Sequence, residues 1–205
     1  MSEAAPDVRK GLVGVYADDS TVSKVMPETN SLTYRGYAVQ DLCEEASFDE
    51  TAYLLWNGEL PNRAELAAFQ AEEKANRTLS PALIRILRDF PRAAHPMDAI
   101  RTAVSFMGME DPEAGDVSLA AQRRKAMRLL AKAPAAVAAA HRLSKGEEPI
   151  APDAALPFCE NFFHMVFGRV PQAEVIKAFD VSMILYAEHT FNASTFTART
   201  VTSTG

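Results

Sequence analysis

The chain has 205 residues, 48% hydrophobic and 23% charged, with a formal net charge of −6. That is the composition of a globular protein with room for one large domain or two small ones. Its mild, dispersed acidity, with Arg123-Arg124-Lys125 as the most basic run, excludes nucleic acid as a partner, because a phosphate backbone is met by clustered cations. That run sits in an amphipathic pattern and reads as a solvated helix face.

Two cysteines, Cys43 and Cys159, lie far apart without CxxC spacing. They argue for a reducing compartment and against a disulfide framework or structural zinc. The first residues lack the basic region and apolar run of an export signal. No stretch approaches the ~20 apolar residues of a bilayer span. A cytoplasmic location and no membrane contact are therefore expected.

In chain order, only the front reads as β. Residues 12–16 (LVGVY), 21–25 (TVSKV) and 32–34 (LTY) are short β-favouring runs separated by turn-forming segments. They predict a small hairpin or three-stranded ribbon within residues 1–37. A helical domain is expected from 38 to 205. Ser47-Phe48-Asp49-Glu50 is a capping box opening a helix that Gly58 ends. Asn62-Arg63-Ala64-Glu65 repeats the device for a helix from Arg63 to about Asn76. Ser80-Pro81 is a serine cap before a proline at the first helical position.

His95-Pro96-Met97-Asp98 starts the next helix, and Met109 to Asp116 reads as an acidic loop. Two alanine-rich helices are expected, Ser118 to Ala131 and Pro134 to Leu143. An irregular connection follows from Lys145 to Pro157, then a short helix from Asn161 to Phe167. Pro171 opens a long helix to about Thr190, with another segment near Asn192. Val175, Ile176, Phe179, Met183, Ile184, Leu185 and Tyr186 leave that long helix little polar face, so it must be covered on most sides. The expected fold class is all-α, multi-helical, with a small β element in front.

GxGxxG, GxxxxGK[ST], HExxH and GxSxG are all absent, and none of the four histidines pairs with another at i, i+4 for a metal. Neither a metal nor a bound cofactor is expected. Chemistry is suggested by one segment, residues 186–199 (YAEHTFNASTFTAR), which sets polar groups directly after an apolar helix. Asn192 or Ser194 can serve simply as a cap for the following helix. His189 is different: on an apolar helix its imidazole must reach a partner or an aqueous cleft.

At this point the sequence resembles the citrate synthase family, in particular the shorter bacterial type that includes 2-methylcitrate synthases. The resemblance rests on residues 11–15 (GLVGV), 32–37 (LTYRGY), 52–61 (AYLLWNGELP), 95–98 (HPMD), 161–165 (NFFHM) and the Ala-Glu-His…Asn-Ala-Ser-Thr block, in family order. It implies a large helical domain and a smaller one closing over the substrates in a homodimer. The implied reaction condenses oxaloacetate with an acyl-CoA and hydrolyses the resulting thioester. Acyl-CoA would be a co-substrate, not a cofactor. His189 matches the family histidine that hydrogen-bonds oxaloacetate, where a donor stabilises the alkoxide formed on attack. Asn192 helps shape the same pocket, and Arg199 adds a charge nearby with no role assigned.

The resemblance also sets an expectation about length. The family's glycine-flanked histidine segments, its catalytic aspartate and its oxaloacetate-binding arginines match nothing up to Gly205. The small domain and the acid/base residues are expected beyond it. The 205-residue chain is expected to be inactive alone. Citrate synthesis from acetyl-CoA is the leading reading, and 2-methylcitrate synthesis from propionyl-CoA is the alternative. A non-catalytic helical dimerisation or regulatory module is the third. The 171–190 and 134–143 helices are expected at a two-fold interface.

Overall fold

Strand forms in the β-favouring front of the chain, and the chain is helical thereafter. The computed structural model describes Gly14 and residues 18–204. Strands β1 (Ser23–Met26), β2 (Ser31–Tyr34) and β3 (Tyr37–Ala38) make one antiparallel sheet in that order. The β-favouring run at 12–16 falls, apart from Gly14, outside the described residues. The third strand is instead Tyr37–Ala38, reached through a two-residue turn at Arg35 (φ 51°) and Gly36 (φ 93°). Positive φ at both turn residues matches the twist of a tight hairpin. Arg35, unusual in that conformation, is held by its guanidinium, whose Nε and Nη2 donate to Leu55 O at 3.3 and 2.8 Å.

Nine α-helices follow among the described residues: α1 (Val39–Glu45), α2 (Phe48–Asn57), α3 (Arg63–Ala75), α4 (Pro81–Arg88), α5 (Pro96–Glu110), α6 (Leu119–Ser144), α7 (Phe158–Phe167), α8 (Ala173–Leu185) and α9 (Ala193–Thr202). The predicted starts are built as the residue types require. Ser47 and Asn62 each form a complete capping box, with Glu50 and Glu65 respectively. Ser80 Oγ accepts from Leu83 N at 3.0 Å. Gly58, at φ 95°, ends α2 in the left-handed region.

Two predicted boundaries are corrected. Ser118–Ala131 and Pro134–Leu143 are one continuous helix, α6, with Pro134 inside it. An interior proline costs about 3 kcal/mol of helix stability. Here the alanines at 131, 135, 136, 138 and 139 are buried, and α6 packs against α3, α4, α5 and α7, so tertiary burial offsets the lost hydrogen bond. The helix expected to run from Pro171 to about Thr190 spans only Ala173–Leu185. The reason lies in the site described below. Smaller shifts place the end of α5 at Glu110 and the start of α7 at Phe158.

The core has a ribbon side and a bundle side. Tyr34, Leu42, Phe48, Leu54, Phe69, Met127, Phe158 and Ile184 bury the ribbon against α1, α2, α3, α6, α7 and α8. Leu83, Leu87, Ala103, Met107, Ala136 and Ala139 join α4, α5 and α6. The 123–125 basic run is more than a wetted face. Arg124 pairs with Glu113, and Lys125 Nζ donates to Ala114 O and Asp116 O at 3.0 and 2.6 Å. With Arg128, which pairs with Asp111 and Glu113, these cations pin the acidic loop onto α6. Hydrogen bonds from Arg124 and Arg128 lower the Glu113 pKa to about 2.

A buried polar network closes the irregular 145–157 connection. Arg77 and Glu73, each 2% exposed, form an ion pair at 2.7 Å. Arg77 Nη1 also donates to Asp153 O and Leu156 O at 3.0 and 2.9 Å. Asn161 Oδ1 accepts from Asp153 N at 2.8 Å. Beside this network Asp49 is buried and accepts from Gln70 Nε2 at 2.8 Å.

Desolvation raises the Asp49 pKa above its ordinary 3.8, outweighing the Gln70 hydrogen bond that lowers it. The folded state therefore binds the Asp49 proton more tightly than the unfolded state does. Stability contributed by that proton is present below about pH 4 and is lost as pH rises through the folded-state pKa. Asp49→Asn keeps a carbonyl acceptor for Gln70 and cannot ionise. Denaturant titrations from about pH 4 to 7 are expected to show the variant gaining on wild type as pH rises. Parallel curves would contradict this.

Candidate functional site

The segment carrying the sequence-predicted site residues is a turn between α8 and α9, and the ribbon builds it. Tyr34, at the end of β2, is completely buried. Its hydroxyl lies 3.0 Å from Ile184 O, 3.2 Å from Leu185 O and 3.0 Å from Glu188 O. The last carbonyls of a helix have no partner within it, so Tyr34 caps α8 from 150 residues away in sequence. Burial pushes the Tyr34 phenol above its ordinary pKa of 10, which keeps it a proton donor.

This cap accounts for the early end of α8. Beyond Tyr186 the chain turns, and the Glu188 carboxylate folds back to accept from Thr190 N and from Ser23 Oγ, the latter at 3.2 Å. Thr190 sits at φ 67°, a conformation costly for a β-branched residue. Asn192 N donates to Thr190 O at 3.0 Å. Asn192 Oδ1 accepts from Thr195 N at 2.9 Å and so caps α9.

His189 is therefore outside α8, at the exposed crest of the turn. The expectation that it projects from an apolar helix is corrected: it stands on the turn that follows α8, with no hydrogen-bond partner among the described residues. Asn192 stands three residues on, its oxygen engaged in the cap and its Nδ2 left as a donor. Arg199, on α9, pairs with Asp18 and lies 5.0 Å above the Phe191 ring. The turn thus carries His189 and Asn192 three residues apart, while Arg199 is engaged on α9 by Asp18 and Phe191.

Sequence reasoning missed Tyr34 and Ser23. A buried tyrosine hydroxyl must find an acceptor, but nothing local says that the acceptors are at 184, 185 and 188. Among the described residues no group of three His, Cys, Asp or Glu side chains gathers to hold a metal. No helix among them is long and apolar enough to cross a membrane.

The fold and this turn define a class: an all-α domain whose front ribbon braces a histidine-bearing turn between two late helices. A family model described as citrate synthase, C-terminal domain, matches residues 11–205. The chain belongs to the citrate synthase family. It is 54% identical over 199 residues to the 2-methylcitrate synthase of Mycobacterium tuberculosis, covering 97% of this chain and 50% of that protein. It is 50% identical over 200 residues to the citrate synthase of Mycolicibacterium smegmatis, covering 98% and 53% respectively. The crystal structure of citrate synthase from Pyrobaculum aerophilum superposes with a TM-score of 0.87 at 33% identity, covering 93% of this chain and 49% of that one. The chain spans about half the length of these relatives.

Proposed function

We propose that the whole protein condenses oxaloacetate with acetyl-CoA and water to give citrate and CoA. The observation that carries this reading is the braced turn displaying His189 at an accessible edge, in a chain of the citrate synthase family. In this reading the His189 imidazole donates to the ketone oxygen or adjacent carboxylate of oxaloacetate, with Asn192 beside it. As the acetyl enolate attacks, the ketone oxygen becomes an alkoxide, and a donor already in place stabilises it without reorganisation. The aspartate base, the enolate-stabilising histidine and a smaller domain lie in the other half of the whole protein. No bound cofactor takes part. The 205-residue span alone is accordingly expected to be inactive.

The alternative acyl donor is propionyl-CoA, favoured by the 54% identity to a 2-methylcitrate synthase. One methylene is worth only ~1–3 kcal/mol of discrimination. The test is oxaloacetate-dependent thiol release by the whole protein from each thioester. A higher kcat/KM for acetyl-CoA is expected. A preference for propionyl-CoA would move the assignment to 2-methylcitrate, and release from neither would refute both.

We also propose a homodimer that covers α8 and the alanine-rich part of α6. Val175, Leu185 and Tyr186 are 40%, 47% and 86% exposed, and Val137 is 37% exposed. A monomeric mass by light scattering on the same preparation would contradict this.

A further inference from the structure

Both peptide groups that flank His189 are held by side chains. The group between Glu188 and His189 is held through its carbonyl by Tyr34 Oη at 3.0 Å. The group between His189 and Thr190 is held through its N–H by the Glu188 carboxylate, itself steadied by Ser23 Oγ at 3.2 Å. Peptide groups are planar, so fixing one on each side of a residue fixes its φ and ψ. The His189 backbone is restrained from both sides, while its side chain stays free to rotate.

Capping α8 explains the Tyr34 contacts to Ile184 and Leu185. It does not explain the reach to Glu188 O, the return of the Glu188 carboxylate onto Thr190, or a threonine kept at φ 67°. A β-branched residue persists in that conformation only where its surroundings over-determine it. The braces come from β1 and β2 on one side and from the turn itself on the other, so the ribbon and the turn are one mechanical unit.

We propose that Tyr34 and Glu188 are positioning residues for His189, setting the direction in which its imidazole meets the substrate. This rests on the reading of His189 as the oxaloacetate donor. A donor aimed at a developing alkoxide works only if its geometry is set before the reaction. The ribbon is then part of the catalytic apparatus through the residues with which it holds the turn.

The test uses Tyr34→Phe, Glu188→Ala and Glu188→Gln in the whole protein, with hydrogen–deuterium exchange and steady-state kinetics. Tyr34→Phe and Glu188→Ala are each expected to speed amide exchange across residues 187–192 by ~10-fold, the scale of one lost hydrogen bond. Exchange within α6 should not change. Both variants are expected to lose ~10-fold in kcat with little change in KM for acyl-CoA, as expected when one positioning hydrogen bond is lost. Glu188→Gln keeps an oxygen acceptor for Thr190 N and is expected to recover both exchange and kcat. Turn exchange at the wild-type rate in Tyr34→Phe and Glu188→Ala would overturn the proposal, as would a loosened turn with undiminished kcat. Wild-type turnover by His189→Ala would instead fault the substrate reading on which the proposal rests. A loosened turn with undiminished kcat beside an impaired His189→Ala would overturn the positioning role alone.

Discussion

His189→Ala in the whole protein is expected to lower kcat for condensation by ~10²–10³, the usual effect of removing one preorganised donor from a developing oxyanion, equivalent to about 3–4 kcal/mol. His189→Gln is expected to retain part of that rate, because an amide N–H can donate but from a different position. His189 is exposed, so thermal stability should stay near wild type. The measurement is thiol release at saturating oxaloacetate and acyl-CoA, alongside a melting curve. Wild-type kcat in His189→Ala would move the site to another residue. A large fall in melting temperature would mean that the loss of rate reports unfolding.

Arg77→Met is expected to destabilise the fold by ~3–5 kcal/mol, because it leaves the Glu73 carboxylate buried without its counter-charge. Methionine fills most of the same volume, so the cavity contribution is small. The damage should exceed a simple lost pair, since Arg77 also holds Asp153 O and Leu156 O at 3.0 and 2.9 Å. The double variant Arg77→Met/Glu73→Leu removes the stranded charge and is expected to recover much of the loss. Urea denaturation of the three proteins decides it. A single-variant cost below ~1 kcal/mol, the level of a surface pair, would show that water reaches Glu73 in the folded state.

Helix starts were legible because capping is local chemistry. Ser47, Asn62 and Ser80 need only neighbours within three residues to satisfy the first free amides. Gly58 ends α2 for an equally local reason, as no side chain opposes its positive φ. Asn192 was legible in the same way, and the cap weighed for it from sequence is what the structure builds.

Where distant contacts compete with local preference, the sequence misled. Pro134 looks like a helix boundary, yet α6 continues through it because the alanines around it are buried against neighbouring helices. The apolar run 175–186 looks like a helix reaching His189, yet α8 stops at Leu185, where the one Tyr34 hydroxyl proton is shared among the carbonyls of Ile184, Leu185 and Glu188.

By itself, then, the sequence determined the all-α class, the β ribbon in front, most helix starts, and His189 with Asn192 as the residues to examine. Only the tertiary structure decided that His189 stands on an exposed turn and that Tyr34, Ser23 and Glu188 hold it there. The physical reason is range. A cap is satisfied within one helical turn, whereas a buried phenol and the end of a helix 150 residues further on choose each other only once the chain has folded.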